Sequence, residues 1–187
     1  RRRHLGLGYS PLKQLDTANV GRLTIAWAQA LPPGVDMAEP LVRDGVLYAF
    51  GYGDNVFAFD AASGRQLWRY QRQLPKGVRL DGRKTIALYG DKVYTATSDN
   101  HMVALDAKTG RPVWDVLLTA RQGMRIPGGP LAADGVIMQV FANNTAGGGL
   151  IVAVDAETGK KLWEFDTVAK PGTLGGDTWN GEPGDQR

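Results

Sequence analysis

The chain has 187 residues, with 22 Lys and Arg against 19 Asp and Glu, 25 glycines, 10 prolines and no cysteine. That leaves no disulfide framework, thiolate metal site or cysteine nucleophile, and no apolar run nears the roughly 18 residues of a membrane-spanning helix. A chain 43% hydrophobic and 22% charged is globular rather than disordered, and its glycine excess argues for tight turns over long helices. From the start, Arg1-Arg2-Arg3-His4 is neither a start methionine nor the head of an apolar segment, so it is not an intact secretory signal. Ser10-Pro11 and Asp16 have the chemistry of caps of short helical turns. They lead into Leu23 to Leu31, LTIAWAQAL, which reads as a strand with Trp27 on one face.

A thirteen-residue pattern then recurs three times: VFAFDAASGRQLW (Val56 to Trp68), MVALDAKTGRPVW (Met102 to Trp114) and IVAVDAETGKKLW (Ile151 to Trp163). Asp60, Asp106 and Asp155 are 46 and 49 residues apart, and Trp68, Trp114 and Trp163 keep the same intervals. Shorter shared pieces precede each copy: RDGVLYAF, YGDKVYTA and AADGVIMQ. These are short β-branched and aromatic runs bounded by Asp-Gly or Gly-Asp turns. Asp91 to Thr109, free of Gly and Pro, alternates at period two and supports strands. The D-A-x-[ST]-G block is hairpin chemistry, its aspartate bonding back to the backbone and its glycine supplying positive φ. A second turn falls at Asp54-Asn55 and Asp99-Asn100. Two hairpins per repeat give about four strands, the makeup of a propeller blade.

The fold class is therefore all-β, a β-propeller of which about three blades and a lead-in strand are present. The expected divisions are a lead-in over 1–31, blades over about 40–75, 84–120 and 128–168, and a post-blade loop over 169–187. Propellers take at least four blades, so the chain reads as the N-terminal part of one larger propeller domain. It would need the rest of that propeller as a partner.

The tryptophan placed in TG-x-x-x-W or SG-x-x-x-W resembles the tryptophan-docking repeat of quinoproteins, with the indole on the outermost strand covering the junction between blades. YSPLKQLDTANVGRLTIAW (Tyr9 to Trp27), IALYGDKVYTATSDNHMVALDAKTGRPVW (Ile86 to Trp114) and GGDTWNGEP (Gly175 to Pro183) are similar to segments of the methanol/ethanol family of PQQ-dependent alcohol dehydrogenases. The resemblance implies an eight-bladed quinoprotein propeller in the periplasm, with pyrroloquinoline quinone (PQQ) and Ca²⁺ on its axis. It implies oxidation of a small alcohol or related polyol by hydride transfer to the quinone. A cytochrome c or a quinone would accept the electrons. The catalytic aspartate would lie beyond Arg187, so the segment alone should be inactive.

The stretch from Arg65 to Lys84 holds seven cations against Asp81. Most of the charges from Arg65 to Arg79 read as solvated loop residues. The resemblance places Lys84 where the family has a cofactor-pairing arginine, with Arg83 one residue before. A lysine there neutralises a carboxylate without arginine's bidentate fork. In the third repeat the distance from Asp134 to Asp155 is 21 residues, against 16 and 15 for its counterparts, with the extra residues around Ala142 to Gly149. The family offers a glutamate to Ca²⁺ there, and the matching position is Asn144, a neutral oxygen ligand.

By the same resemblance Thr178 donates at the cofactor rim, and Trp179 packs without stacking on the quinone. The family's first-blade glutamate falls on Met37, with Asp36 and Glu39 beside it as substitutes. The family's adjacent cysteines are absent around Gly77-Val78-Arg79, and Pro127 replaces an expected threonine. The other reading, a cofactor-free propeller serving as a protein-binding scaffold, stays open on these departures. His4 and His101 read as ordinary surface or turn residues. No phosphate loop or nucleic-acid motif is present.

Overall fold

In the computed structural model, the described residues are 13–34, 38–80, 84–143 and 148–178. Their strands form three antiparallel sheets, each built from one sequence repeat. β1 (Leu41–Arg43), β2 (Val46–Gly51), β3 (Asn55–Asp60) and β4 (Gln66–Gln71) pair in chain order as the first blade. The second blade is β5 (Ile86–Tyr89), β6 (Lys92–Ala96), β7 (His101–Asp106) and β8 (Pro112–Leu117). In the third, a short β9 (Met124–Arg125) precedes β10 (Leu131–Ala133), β11 (Val136–Asn143), β12 (Leu150–Asp155) and β13 (Lys161–Asp166). β9 pairs with the far end of β11, at Ala142 and Asn143, so the longer third repeat becomes a longer strand with an extra partner. The three blades make part of a propeller that does not close into a ring.

Local chemistry sets the turns. Asp44-Gly45 and Asp134-Gly135 have positive φ at both positions, the mirror-image turn that suits a two-residue hairpin. At the other hairpin, Asp106 Oδ1 accepts the Thr109 amide at 2.8 Å and its hydroxyl at 2.7 Å, and Gly110 follows at φ 70°. Asp60 with Ser63 and Asp155 with Thr158 repeat this geometry. The two turn types are tied at one end of each blade, the amides of Ala61, Ala107 and Ala156 donating to the carbonyls of Gly45, Asp91 and Gly135, each at 2.9 Å.

Trp68 and Trp114 each pack on the next blade. Trp68 Nε1 donates to the Ala107 carbonyl at 3.0 Å, and Trp114 Nε1 to Ala156 at 3.1 Å. A tyrosine shares each acceptor: Tyr48 donates to Ala107 and Tyr94 to Ala156. Burial pushes the Tyr94 hydroxyl up to about 12. Within the blade the tryptophan lies opposite a small residue, Ala58, Ala104 or Ala153, and the register slips immediately after it.

The alternation expected over Asp91 to Thr109 is not seen in burial. All five residues of β6 are buried, and so are the four central residues of β7. The second blade has a neighbour on each side, which covers both faces of β6 and β7, whereas the outer strands β4 and β8 keep exposed positions and β11 in the third blade leaves Val140 exposed. Leu23 to Leu31, expected as a strand, belongs to no sheet among the described residues. A strand needs a ladder partner, and none of the described strands provides one. Trp27 still docks as its counterparts do, donating to Ala61 at 3.0 Å, while Gln29 donates to Gly64 at 3.0 Å. Asp16 Oδ1 accepts the amides of Ala18 and Asn19 in the turn that precedes the 3₁₀ turn at Val20–Arg22, whose own N-cap, Asn19, makes no side-chain cap bond. Ser10-Pro11 lies outside the described residues.

Candidate functional site

The end of the blades opposite the tryptophan turns carries the β2–β3 and β6–β7 turns and the long loops between blades. Lys84 lies there, two residues before β5, the first strand of its blade. Its side chain is fully enclosed, as is that of Asp54 in the β2–β3 turn. Lys84 Nζ donates to Asp54 Oδ1 at 2.5 Å and to Ser98 Oγ at 2.7 Å, and the Ser98 amide donates to Asp54 Oδ2 at 2.6 Å. A buried ammonium persists only when paired and hydrogen-bonded. Here one cation links the inner turns of two blades. Asp54 holds φ 54°, a left-handed conformation that aspartate tolerates better than most side chains.

Arg72, at the end of β4, reaches across to the second blade. It donates through Nε and Nη2 to Asp99, at 3.1 and 2.8 Å, and through Nη1 to Asp115. Asp99 also accepts from Thr97 Oγ1 at 2.6 Å, and His101 Nδ1 lies 2.7 Å from Asp115. Burial would raise the Asp99 carboxyl, but the hydrogen bonds from Arg72 and Thr97 outweigh it and hold it below its ordinary value. Burial would likewise lower the Arg72 guanidinium, and its carboxylate partners raise it instead. Arg72 is thus no solvated loop charge, and neither is Arg69, which bonds Asn55 Oδ1 and sits 5.4 Å from the Phe57 ring centre.

Beside this network opens a cleft of about 350 Å³ lined by Val78, Arg79, Ser98, Asp99, Asn100, Met124, Arg125 and Ile126. Ser98 joins it to the Lys84 cluster. Arg125 drew no attention in the sequence because β9 has no counterpart in the other repeats.

Glu39 stands in the first blade where Lys84 stands in the second, two residues before the blade's first strand, and it is exposed. Thr178 closes a 3₁₀ turn at Gly176–Thr178, exposed, its hydroxyl donating to the Gly175 carbonyl at 2.8 Å. Neither joins the Lys84 cluster. Arg83, Asp36, Met37, Asn144 and Trp179 lie outside the described residues.

A planar quinone bearing three carboxylates needs cations, rim donors and flat apolar surfaces. Lys84, Arg79 and Arg125 meet the first need at this end, where the one cleft carboxylate, Asp99, is neutralised by Arg72. Among the described residues no cluster of three His, Asp or Glu forms a cation cage, so these residues fit the carboxylate-binding share of such a site and not its metal.

Residues 20–178 match the family described as outer membrane protein assembly factor BamB. The chain is 39% identical over 138 residues to a quinohemoprotein alcohol dehydrogenase, ADH IIB, of Pseudomonas putida, covering 70% of this chain and 20% of that protein. The solved quinohemoprotein alcohol dehydrogenase from Comamonas testosteroni superposes with a TM-score of 0.77 at 33% identity, over 89% of this chain and 26% of that one. A europium-containing methanol dehydrogenase gives 0.73 at 27% identity, over 83% and 29%. The chain therefore spans about a fifth to a quarter of the length of such relatives. With blades, docking tryptophans and sequence in agreement, the chain belongs to the PQQ-dependent quinoprotein alcohol dehydrogenase family.

Proposed function

We propose that these blades form part of an eight-bladed propeller domain that oxidises small alcohols or related polyols in the periplasm, using PQQ and Ca²⁺ and passing electrons to a cytochrome c or a quinone. The observation that carries this reading is the cationic loop end, where Lys84 sits at the base of the second blade's first strand. The quinone, when bound, would supply the hydride acceptor for the alcohol carbon. Lys84 contributes positive charge toward its carboxylates and keeps the Asp54 and Ser98 turns in place. Arg83 adds charge beside it, Thr178 and Glu39 serve the cofactor rim, and Asn144 offers an amide oxygen to the metal. The lead-in 1–31, the blade repeats and the loop over 169–187 belong to one domain, and this segment by itself has no dehydrogenase activity.

The test is to express the complete polypeptide that carries these blades, add PQQ and Ca²⁺, and follow dye reduction by alcohols. Bound quinone and alcohol-dependent reduction are expected, and a protein that retains no quinone sinks the reading. A second reading is a cofactor-free scaffold that binds proteins. The complete enclosure of Lys84, already spent on Asp54 and Ser98, favours it.

A further inference from the structure

We propose that the cleft bounded by Arg79 and Arg125 binds the carboxylates of a small organic anion, the Lys84 ammonium being already given to the protein's own groups. Lys84 is enclosed and bonded to Asp54 and Ser98, so it adds charge from behind but no hydrogen bond, and an arriving carboxylate needs further cations to contact. Two arginines line the adjoining cleft, Arg79 exposed and Arg125 half-buried. Among the described residues neither is held in an ion pair, whereas Arg72 and Arg121 are each clasped by two carboxylates. Asp99, the acid in the lining, is committed to Arg72 and Thr97.

The net field in the cleft is therefore positive, and a guanidinium matches a carboxylate in a two-point fork. Val78, Met124 and Ile126 give the cleft an apolar wall, and Asn100 adds a polar side chain. Its volume of about 350 Å³ lies at the small end of ligand pockets, which suits one compact polycarboxylate. The carboxylates have two sources, the quinone cofactor or an acidic alcohol substrate. The first source rests on the proposed function, whereas the site itself does not.

The test is titration calorimetry on the complete polypeptide with two probes, citrate and PQQ, for wild type, Arg79→Gln, Arg125→Gln and Arg125→Lys. Arg65→Gln, at the opposite end of the first blade, is the control. Loss of one charge-assisted contact should weaken binding about tenfold, with Arg125→Lys recovering part of that and Arg65→Gln leaving it unchanged. Weakening toward both probes assigns the cleft to the cofactor's carboxylates. Weakening toward citrate alone, with PQQ bound as in wild type, assigns it to an acidic substrate. If citrate binds through the arginines and PQQ does not bind at all, the inference stands and the cofactor reading falls. Wild type that binds neither probe, or cleft variants that bind both as wild type does, overturns it. Exposed Arg79 keeps the test independent of any folding defect at Arg125.

Discussion

Trp68 and Gly110 belong to different blades and fit together only because one of them has no side chain. A Cβ built on Gly110 would lie 2.6 Å from the indole, and the residue sits at φ 70°. Gly64 has the same relation to Trp27, and Gly159 to Trp114. Gly110→Ala should therefore lower unfolding free energy by about 1–3 kcal/mol through overpacking and backbone strain. Urea denaturation of the variant beside wild type checks it, and an unchanged midpoint would show that the indole can move aside.

The buried Lys84–Asp54 pair predicts strong non-additivity. Asp54→Ala leaves an enclosed ammonium without its carboxylate and should cost about 3–5 kcal/mol. Replacing both groups, as Lys84→Met with Asp54→Leu, removes the uncompensated charge and should restore much of that loss. A double-mutant cycle by chemical denaturation measures the difference. Equal losses in the single and double variants would mean that the turn geometry, not the charge, matters.

The three turn aspartates set the acid response. Asp106 is held below its ordinary value of 3.8 by hydrogen bonds from the Thr109 hydroxyl and amide. Asp60 is lowered in the same way by Ser63, and Asp155 by Thr158. A depressed carboxyl contributes its full stabilisation above the unfolded value, and loses it as pH falls through the folded one. Stability should therefore decline below about pH 4, with the turns protonating as a group. In Thr109→Val the Asp106 carboxyl should titrate nearer 3.8, which carbon-detected NMR can follow.

Fluorescence should separate the docked tryptophans from that of the third blade. Trp163 is 44% exposed and Trp68 is 8% exposed. Acrylamide should quench Trp163 more than Trp68, so Trp163→Phe should remove more of the quenchable emission than Trp68→Phe. The reverse order would mean that β13 is covered in solution.

How much was legible in the sequence differs between fold and site. The D-A-x-[ST]-G blocks announced the hairpins because their aspartate, hydroxyl and glycine lie within four residues of each other. The tryptophan junctions were foreseeable from the fixed interval together with the resemblance to the tryptophan-docking repeat. Tyr48 and Tyr94, which share the tryptophans' acceptors, went unnoticed because Met138 holds the matching place in the third blade. Arg72 meets partners 27 and 43 residues away, and Lys84 meets one 30 residues back. No local pattern marks such pairs. His101, read as an ordinary surface residue, opens β7 beside Asp115, a cross-strand pairing fixed only once β7 and β8 are in register.

In the first two blades the indole faces forward, while in all three the glycine that receives an indole faces back. A copied stretch of 46 or 49 residues thus carries both a plug and a socket, on opposite sides of itself. Inserted anywhere in the series, it would meet matching neighbours on both flanks without a single new residue. Growth of such a ring by duplication is limited by closure of the circle rather than by the need to invent interfaces.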